Sequence, residues 1–215
     1  MKPLVSFTRL VSALCALAFV GTVSAELPQL KLVNAYPNLK LQRPLWLEQL
    51  PDGRMFVLAQ RGTILELPKN AKGDQAKVLF DISGRKPYVK DEEGLLGMAF
   101  HPQFKANGKL YVFYSAHEPL RSIVSEFKVG NNGKVDPATE RKLVTIERPF
   151  WNHDGGCILF GPDGKLYFSV GDNGFSVRTR EGKLLHHPNT GGVLRCNWDG
   201  SNLEVYATGL RNVQE

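Results

Sequence analysis

The sequence predicts an all-β fold, and within that class a β-propeller, on three observations. Helical periodicity is almost absent beyond residue 25. Short aromatic and β-branched runs alternate with clusters of Gly, Pro, Asn and Asp, the punctuation of antiparallel strands and tight turns. One turn-plus-strand pattern also recurs, as Pro51-Asp52-Gly53-Arg54-Met55-Phe56-Val57, Ala106-Asn107-Gly108-Lys109-Leu110-Tyr111-Val112 and Pro162-Asp163-Gly164-Lys165-Leu166-Tyr167-Phe168. Its glycines at 53, 108 and 164 stand 55 and 56 residues apart, a spacing suited to units that each supply one small antiparallel sheet, or blade, to a ring. A β-sandwich with coincidental turn spacing is the alternative.

In chain order, the first element reads as a signal peptide over residues 1–25. Lys2 and Arg9 make a positive start, Leu10 to Val20 is a short apolar run, and Val23-Ser24-Ala25 offers the small residues of a cleavage site. The run is too short for a bilayer span and no second one follows, so an extracytoplasmic (periplasmic or secreted) chain without a further transmembrane segment is expected. An uncleaved amphipathic anchor is the alternative.

Residues 26–215 then read as a partial propeller. In the first unit, Gln60-Arg61-Gly62-Thr63 turns the chain into the alternating run Ile64-Leu65-Glu66-Leu67. In the second, Ser122 to Val129 is an alternating outer strand ending before Asn132-Gly133. In the third, Gly191 to Asn197 is a strand and Trp198-Asp199-Gly200 its turn. Between Gly174 and Gly191 lies a long polar loop with Arg178, Arg180, His186 and His187, the kind of connection that often carries function on a rigid scaffold. Three units leave a ring open, because propellers close with about four to eight blades. The chain is therefore expected to be part of a longer propeller.

Charge and cysteines exclude several function classes. The 27 Lys and Arg less the two in the leader, set against 21 Asp and Glu, leave the rest of the chain at +4. The basic residues are scattered among acids with no aromatic-interleaved stripe, so nucleic acid is not an expected partner. Cys157 and Cys196 lie in β-type runs without metal-ligand spacing, which suits two buried thiols better than one bridge. The absence of CxxCH leaves no covalent haem site in these residues.

Two stretches carry candidate chemistry. Asp91-Glu92-Glu93 precedes the Gly-flanked apolar run Gly94-Leu95-Leu96-Gly97-Met98-Ala99-Phe100, with His101-Pro102 after it. An acidic triplet there either reaches a central mouth or is a solvated loop. In Asn152-His153-Asp154-Gly155-Gly156, a histidine able to take a proton from a hydroxyl lies beside a carboxylate able to orient it. The paired glycines permit close approach of a ligand to the backbone. A hydrogen-bonded turn is the alternative reading.

These stretches resemble a known family. Gly94-Leu95-Leu96-Gly97-Met98-Ala99-Phe100-His101-Pro102-Gln103-Phe104 is similar to the GLLGxAFHPxF signature of the soluble quinone-dependent glucose and sorbosone (aldose sugar) dehydrogenases. His153-Asp154-Gly155-Gly156, Phe160 to Tyr167, Val170-Gly171-Asp172, Val193 to Gly200 and Gly209-Leu210-Arg211-Asn212 follow in family order. The Phe168 to Asn212 region further resembles a subgroup of large exported propellers that carry a separate haem domain.

The resemblance implies a six-bladed propeller, of which about the first three blades are present. It also implies pyrroloquinoline quinone (PQQ) over the tunnel mouth beside Ca²⁺, and oxidation of a sugar or related alcohol. His153 would be the general base, with Asp154 beside it. Arg211 and Asn212 would face the quinone oxygens, and Glu92 and Asn152 would occupy further cofactor-facing positions. Calcium ligands would lie beyond residue 215, and a cytochrome c or haem domain is the implied electron acceptor. The sequence departs from the family pattern at Glu92 for Gln, Asn152 for Asp and Val213 for Pro. A non-catalytic extracellular binding propeller, or an inactive fragment, is the alternative function.

Overall fold

The computed structural model describes residues 29–174, 177–178, 184–185 and 189–214. The expected signal peptide, and Arg180, His186 and His187 of the polar loop, lie outside the described residues. The chain divides into two units, Met1–Asn34 and Ala35–Glu215. Residues 29–34 of the first have no regular structure.

The second unit contains three four-stranded antiparallel sheets. The first is β1 (Pro44–Gln49), β2 (Met55–Ala59), β3 (Thr63–Glu66) and β4 (Lys77–Asp81). The second is β5 (Leu95–Phe100), β6 (Lys109–Ala116), β7 (Arg121–Lys128) and β8 (Arg141–Glu147). The third is β9 (Ile158–Phe160), β10 (Leu166–Val170), β13 (Gly192–Cys196) and β14 (Glu204–Thr208), with the small hairpin β11 (Val177–Arg178) and β12 (Leu184–Leu185) inserted between β10 and β13. Each sheet is a meander in strand order, the arrangement of a propeller blade. Ser122 to Val129, expected at the outside of its blade, is instead the third strand. The half-exposed β8 pairs beyond it.

The recurring motif marks the second strand of every sheet, and its turn chemistry repeats with it. The backbone N–H of Arg54 donates to Asp52 Oδ1 (3.1 Å), that of Lys109 to Asn107 Oδ1 (3.0 Å) and that of Lys165 to Asp163 Oδ1 (3.1 Å). The short Asx side chain thereby mimics a backbone turn, while the glycine after it takes a positive φ of 84°, 63° or 75°. The middle copy is not the tight turn expected. Its Gly108 closes a helical turn, Phe104–Asn107, donating to the Phe104 carbonyl four residues back (2.8 Å). Gly53 and Gly164 donate three residues back, to Leu50 and Gly161.

The second sheet is buried on both faces because alternate residues of β6 point opposite ways. Leu110, Val112 and Tyr114 join a core with the first sheet, and Tyr111 and Phe113 a core with the third. Phe56 meets Phe100 at 4.9 Å and Phe80 meets Phe127 at 4.7 Å across the first core, and Tyr111 meets Phe160 edge-on at 5.0 Å across the second. On the first and third sheets, Leu45, Leu47 and Leu159 are exposed. Each alternates with a residue packed on a core, so they lie on faces onto which neighbouring blades pack in a closed ring. Cys157 and Cys196 are not bridged, and burial pushes the Cys196 thiol up to about 11.

The first strands of the sheets lie side by side, β5 against both β1 and β9. At that line there is no room for side chains. A Cβ on Gly97 would collide with the Gly156 carbonyl oxygen, and one on Gly94 would come 2.5 Å from the Gln60 carbonyl oxygen. The glycines of the Gly94-to-Gly97 motif therefore set the spacing of neighbouring blades. Gly97→Ala is expected to destabilise the fold by about 1–3 kcal/mol, the range for overpacking, as a lowered urea midpoint. Gly84→Ala, where an added Cβ meets open space, should leave that midpoint unchanged.

Candidate active site at the mouth of the blades

Antiparallel pairing brings the start of β5, the β6–β7 turn and the end of β8 to one end of the second sheet. There Arg148, just past β8, is completely buried between two carboxylates. Its Nη1 donates to Asp154 Oδ1, in a very short contact, and its Nη2 donates to Glu93 Oε1 at 3.3 Å. Ser115 Oγ donates to Asp154 Oδ2 (2.9 Å), the Lys90 N–H donates to Glu93 Oε2 (3.1 Å), and His117 Nδ1 lies 3.7 Å from Glu93 Oε1. One guanidinium thus ties the connection before β5 to the connection after β8. Burial pushes the Asp154 carboxyl up to about 7, against the opposing pull of Arg148.

Next to each clamped acid is a residue of the mouth: Glu92 beside Glu93, and His153 beside Asp154. The backbone N–H of His153 donates to Glu92 Oε2 at 2.6 Å. Its carbonyl oxygen accepts from Asn173 Nδ2 at 3.1 Å. These contacts hold His153 at φ +54°, an uncommon conformation for a non-glycine residue and one that persists where the surroundings enforce it. Gly171 must be glycine because a Cβ there would strike the His153 carbonyl oxygen.

The imidazole is oriented by Asp172, not Asp154. His153 Nδ1 lies 2.5 Å from Asp172 Oδ1, with the two side chains 12% and 8% exposed. A carboxylate oxygen accepts, so in the neutral ring the proton lies on Nδ1 and the lone pair on Nε2. Nε2 makes no hydrogen bond to the described residues. Asp172 is fixed in turn: Oδ1 accepts the Gly174 N–H (2.9 Å), and its own N–H donates to the Arg211 carbonyl (2.7 Å).

The other candidates gather around this pair. Asn212 Oδ1 accepts from the Gly155 N–H (3.0 Å), and its Nδ2 donates to Glu92 Oε2 (3.4 Å). Arg211 is exposed, and its guanidinium makes no hydrogen bond to the described residues. Asn152 is half-buried with its amide against Gly174. Among the described residues, no group of three or more His, Cys, Asp and Glu is arranged to hold a metal ion.

Comparison with known proteins places this geometry. The profile of the glucose / sorbosone dehydrogenase family matches residues 41–215. The chain belongs to this family. It is 28% identical over 187 residues to quinoprotein glucose dehydrogenase B of Acinetobacter calcoaceticus, covering 75% of this chain and 38% of that protein. It is 39% identical over 173 residues to human Hedgehog-interacting protein, covering 74% and 25%. The PQQ-bound aldose sugar dehydrogenase of Streptomyces coelicolor superposes with a TM-score of 0.61 at 24% identity, over 75% of this chain and 46% of that one. The chain thus spans about a quarter to a half of the length of these proteins, and its three sheets are part of a propeller.

Within the family frame, the structure brings His153, Glu92, Asn212 and the Arg211 backbone together. It corrects the expected part of Asp154 as the carboxylate beside His153. The left-handed backbone at His153 sends the two neighbouring side chains apart, so Asp154 turns inward to Arg148 and Ser115 while His153 turns to Asp172. Asp172, Arg148 and Ser115 went unnoticed as site residues. The Gly171-Asp172 pair was the available signal for Asp172, whereas nothing local in the sequence marks Arg148 or Ser115.

Two outcomes follow. Arg148→Met should destabilise the fold by about 3–5 kcal/mol, the cost of stranding a buried charge, measured by urea unfolding at neutral pH. For Asp154, the folded-state pKa of about 7 exceeds the 3.8 of a free aspartate, so the folded chain binds the proton more tightly. Its stabilising contribution is complete at low pH and is lost as pH rises from 3.8 towards 7. Asp154→Asn, which cannot ionise, should flatten unfolding free energy across that window. An unchanged slope would contradict this assignment.

Proposed function

We propose that this chain is part of an exported PQQ-dependent dehydrogenase that oxidises the hydroxyl of an aldose or related sugar. The observation that carries this reading is the Asp172–His153 pair at the mouth, with Nδ1 held and Nε2 without a hydrogen-bond partner among the described residues. His153 Nε2 takes the hydroxyl proton of the substrate, and Asp172 keeps the ring in the accepting tautomer and stabilises the imidazolium that forms. PQQ, when bound, supplies the acceptor for the hydride leaving the same carbon.

The residues present suit an anionic quinone. The Arg211 guanidinium makes no hydrogen bond or ion pair with the described residues. The Asn212 amide N–H, at a long 3.4 Å from Glu92, is only weakly engaged, and both groups can stabilise charge on quinone oxygens. Glu92 is an acid where the family pattern has Gln, but its Oε2 accepts the His153 N–H, the bond a Gln carbonyl could also accept. Glu92 thus acts as a backbone acceptor holding the base. Asn152 would border the cofactor on the Gly174 side. Calcium would be held by residues outside this chain's described set, and a cytochrome c or haem domain would take the electrons.

A second reading is a non-catalytic binding propeller, favoured by the higher identity to Hedgehog-interacting protein (39%) than to the glucose dehydrogenase (28%). Reconstitution of the full-length protein with PQQ and Ca²⁺, followed by aldose-dependent dye reduction, separates the two. For an enzyme, His153→Ala should lower the rate at least about 10²-fold, the scale of a lost general base, with PQQ binding retained. Arg211→Ala should weaken PQQ binding itself. Absence of both PQQ binding and dye reduction in the wild type would select the binding module.

A further inference from the structure

A second cavity lies on the same side of the second sheet, between segment 85–89 and the β6–β7 turn, with a volume of about 560 Å³. None of His153, Asp172 or Arg211 lines it. Ser115 and His117 form its inner wall, and their other contacts, to Asp154 and Glu93, separate it from the mouth. It lies within the size range of small-molecule sites.

Its charge is unbalanced. Arg85, Lys86, Arg121 and Lys142 line it, against Glu118 and Glu140. Arg85 and Glu140 satisfy each other at 2.7 Å. Although burial works to raise it, hydrogen bonds from Tyr114, Ser125 and Arg85 hold the Glu140 carboxyl below the usual range, so it is an occupied anion. That leaves Lys86, Arg121 and Lys142, which have no ion pair among the described residues, against the exposed carboxylate of Glu118. The buried Nε–H of Arg121 also has no acceptor among the described residues. A buried donor without a partner is costly, and its guanidinium is the planar fork that binds oxyanions through paired N–H groups.

We propose that this cavity is a binding site for a small molecule carrying a tetrahedral oxyanion, a phosphate or sulfate ester, held by Arg121 with Lys86 and Lys142. An oxyanion there accepts from the Arg121 guanidinium, which makes no hydrogen bond or ion pair to the described residues, and neutralises the cation excess. The site is independent of PQQ and of the sugar reaction.

The test is calorimetric titration of the intact protein with inorganic phosphate, inorganic sulfate and acetate, at ionic strength fixed with NaCl. Saturable binding of phosphate or sulfate is expected, with acetate much weaker, and the preference between the first two tells a phosphate ester from a sulfate ester. Arg121→Gln and Lys142→Gln should each weaken binding roughly tenfold, the scale of one charge-assisted hydrogen bond. Lys142 is exposed, so its variant keeps the test valid should Arg121→Gln fail to fold. No saturable heat with either dianion, acetate binding as tightly as both, unchanged affinity in the variants, or loss of binding in Arg211→Ala instead would each overturn the proposal.

Discussion

The Arg148 guanidinium, fully buried between Glu93 and Asp154, is the interaction on which the mouth of this propeller depends. Blades are independent sheets, and their edge connections have few backbone bonds to hold them. Here one cation fixes two connections at once. The residues beside its two partners, Glu92 and His153, are then joined by a 2.6 Å hydrogen bond between backbone and carboxylate. Removing the cation would strand two acids where water cannot reach them, so the arrangement is stable only as a set.

The same division between buried framework and exposed chemistry explains why adjacent residues have different roles. Asp154 and Glu93 face inward and are spent on Arg148, Ser115 and backbone N–H groups. His153 and Glu92 face the mouth. The left-handed backbone at His153 brings its ring to Asp172 from the next strand pair, so the base and its orienting carboxylate are separated by 19 residues in sequence.

Much of the fold was legible because it is written locally. The Asx-Gly turns recur with the same hydrogen bond in all three sheets, whereas the strands after them read as half-buried, and the burial of β6 on both faces follows its unbroken apolar run Leu110 to Tyr114. The helical turn Phe104–Asn107 was not legible, since a single turn is too short to show helical periodicity. At the site, His153 stood out by its glycine-rich surroundings. Its partner did not, because proximity in sequence favours Asp154, whereas the contact is decided by side-chain direction and by the pairing of β9 with β10. Arg148 carries no motif: its function is defined only by the two loops it bridges.

The central claim is that Asp172 fixes His153 with its proton on Nδ1, leaving Nε2 as the accepting atom. Nitrogen-15 NMR of histidine-labelled protein, with His153 assigned by loss of its signals in His153→Gln, reads that tautomer directly in the neutral ring. The account predicts a protonated Nδ1 with a strongly deshielded proton that is lost in Asp172→Ala, and an unprotonated Nε2. A neutral ring protonated on Nε2, or one indifferent to Asp172→Ala, would contradict it.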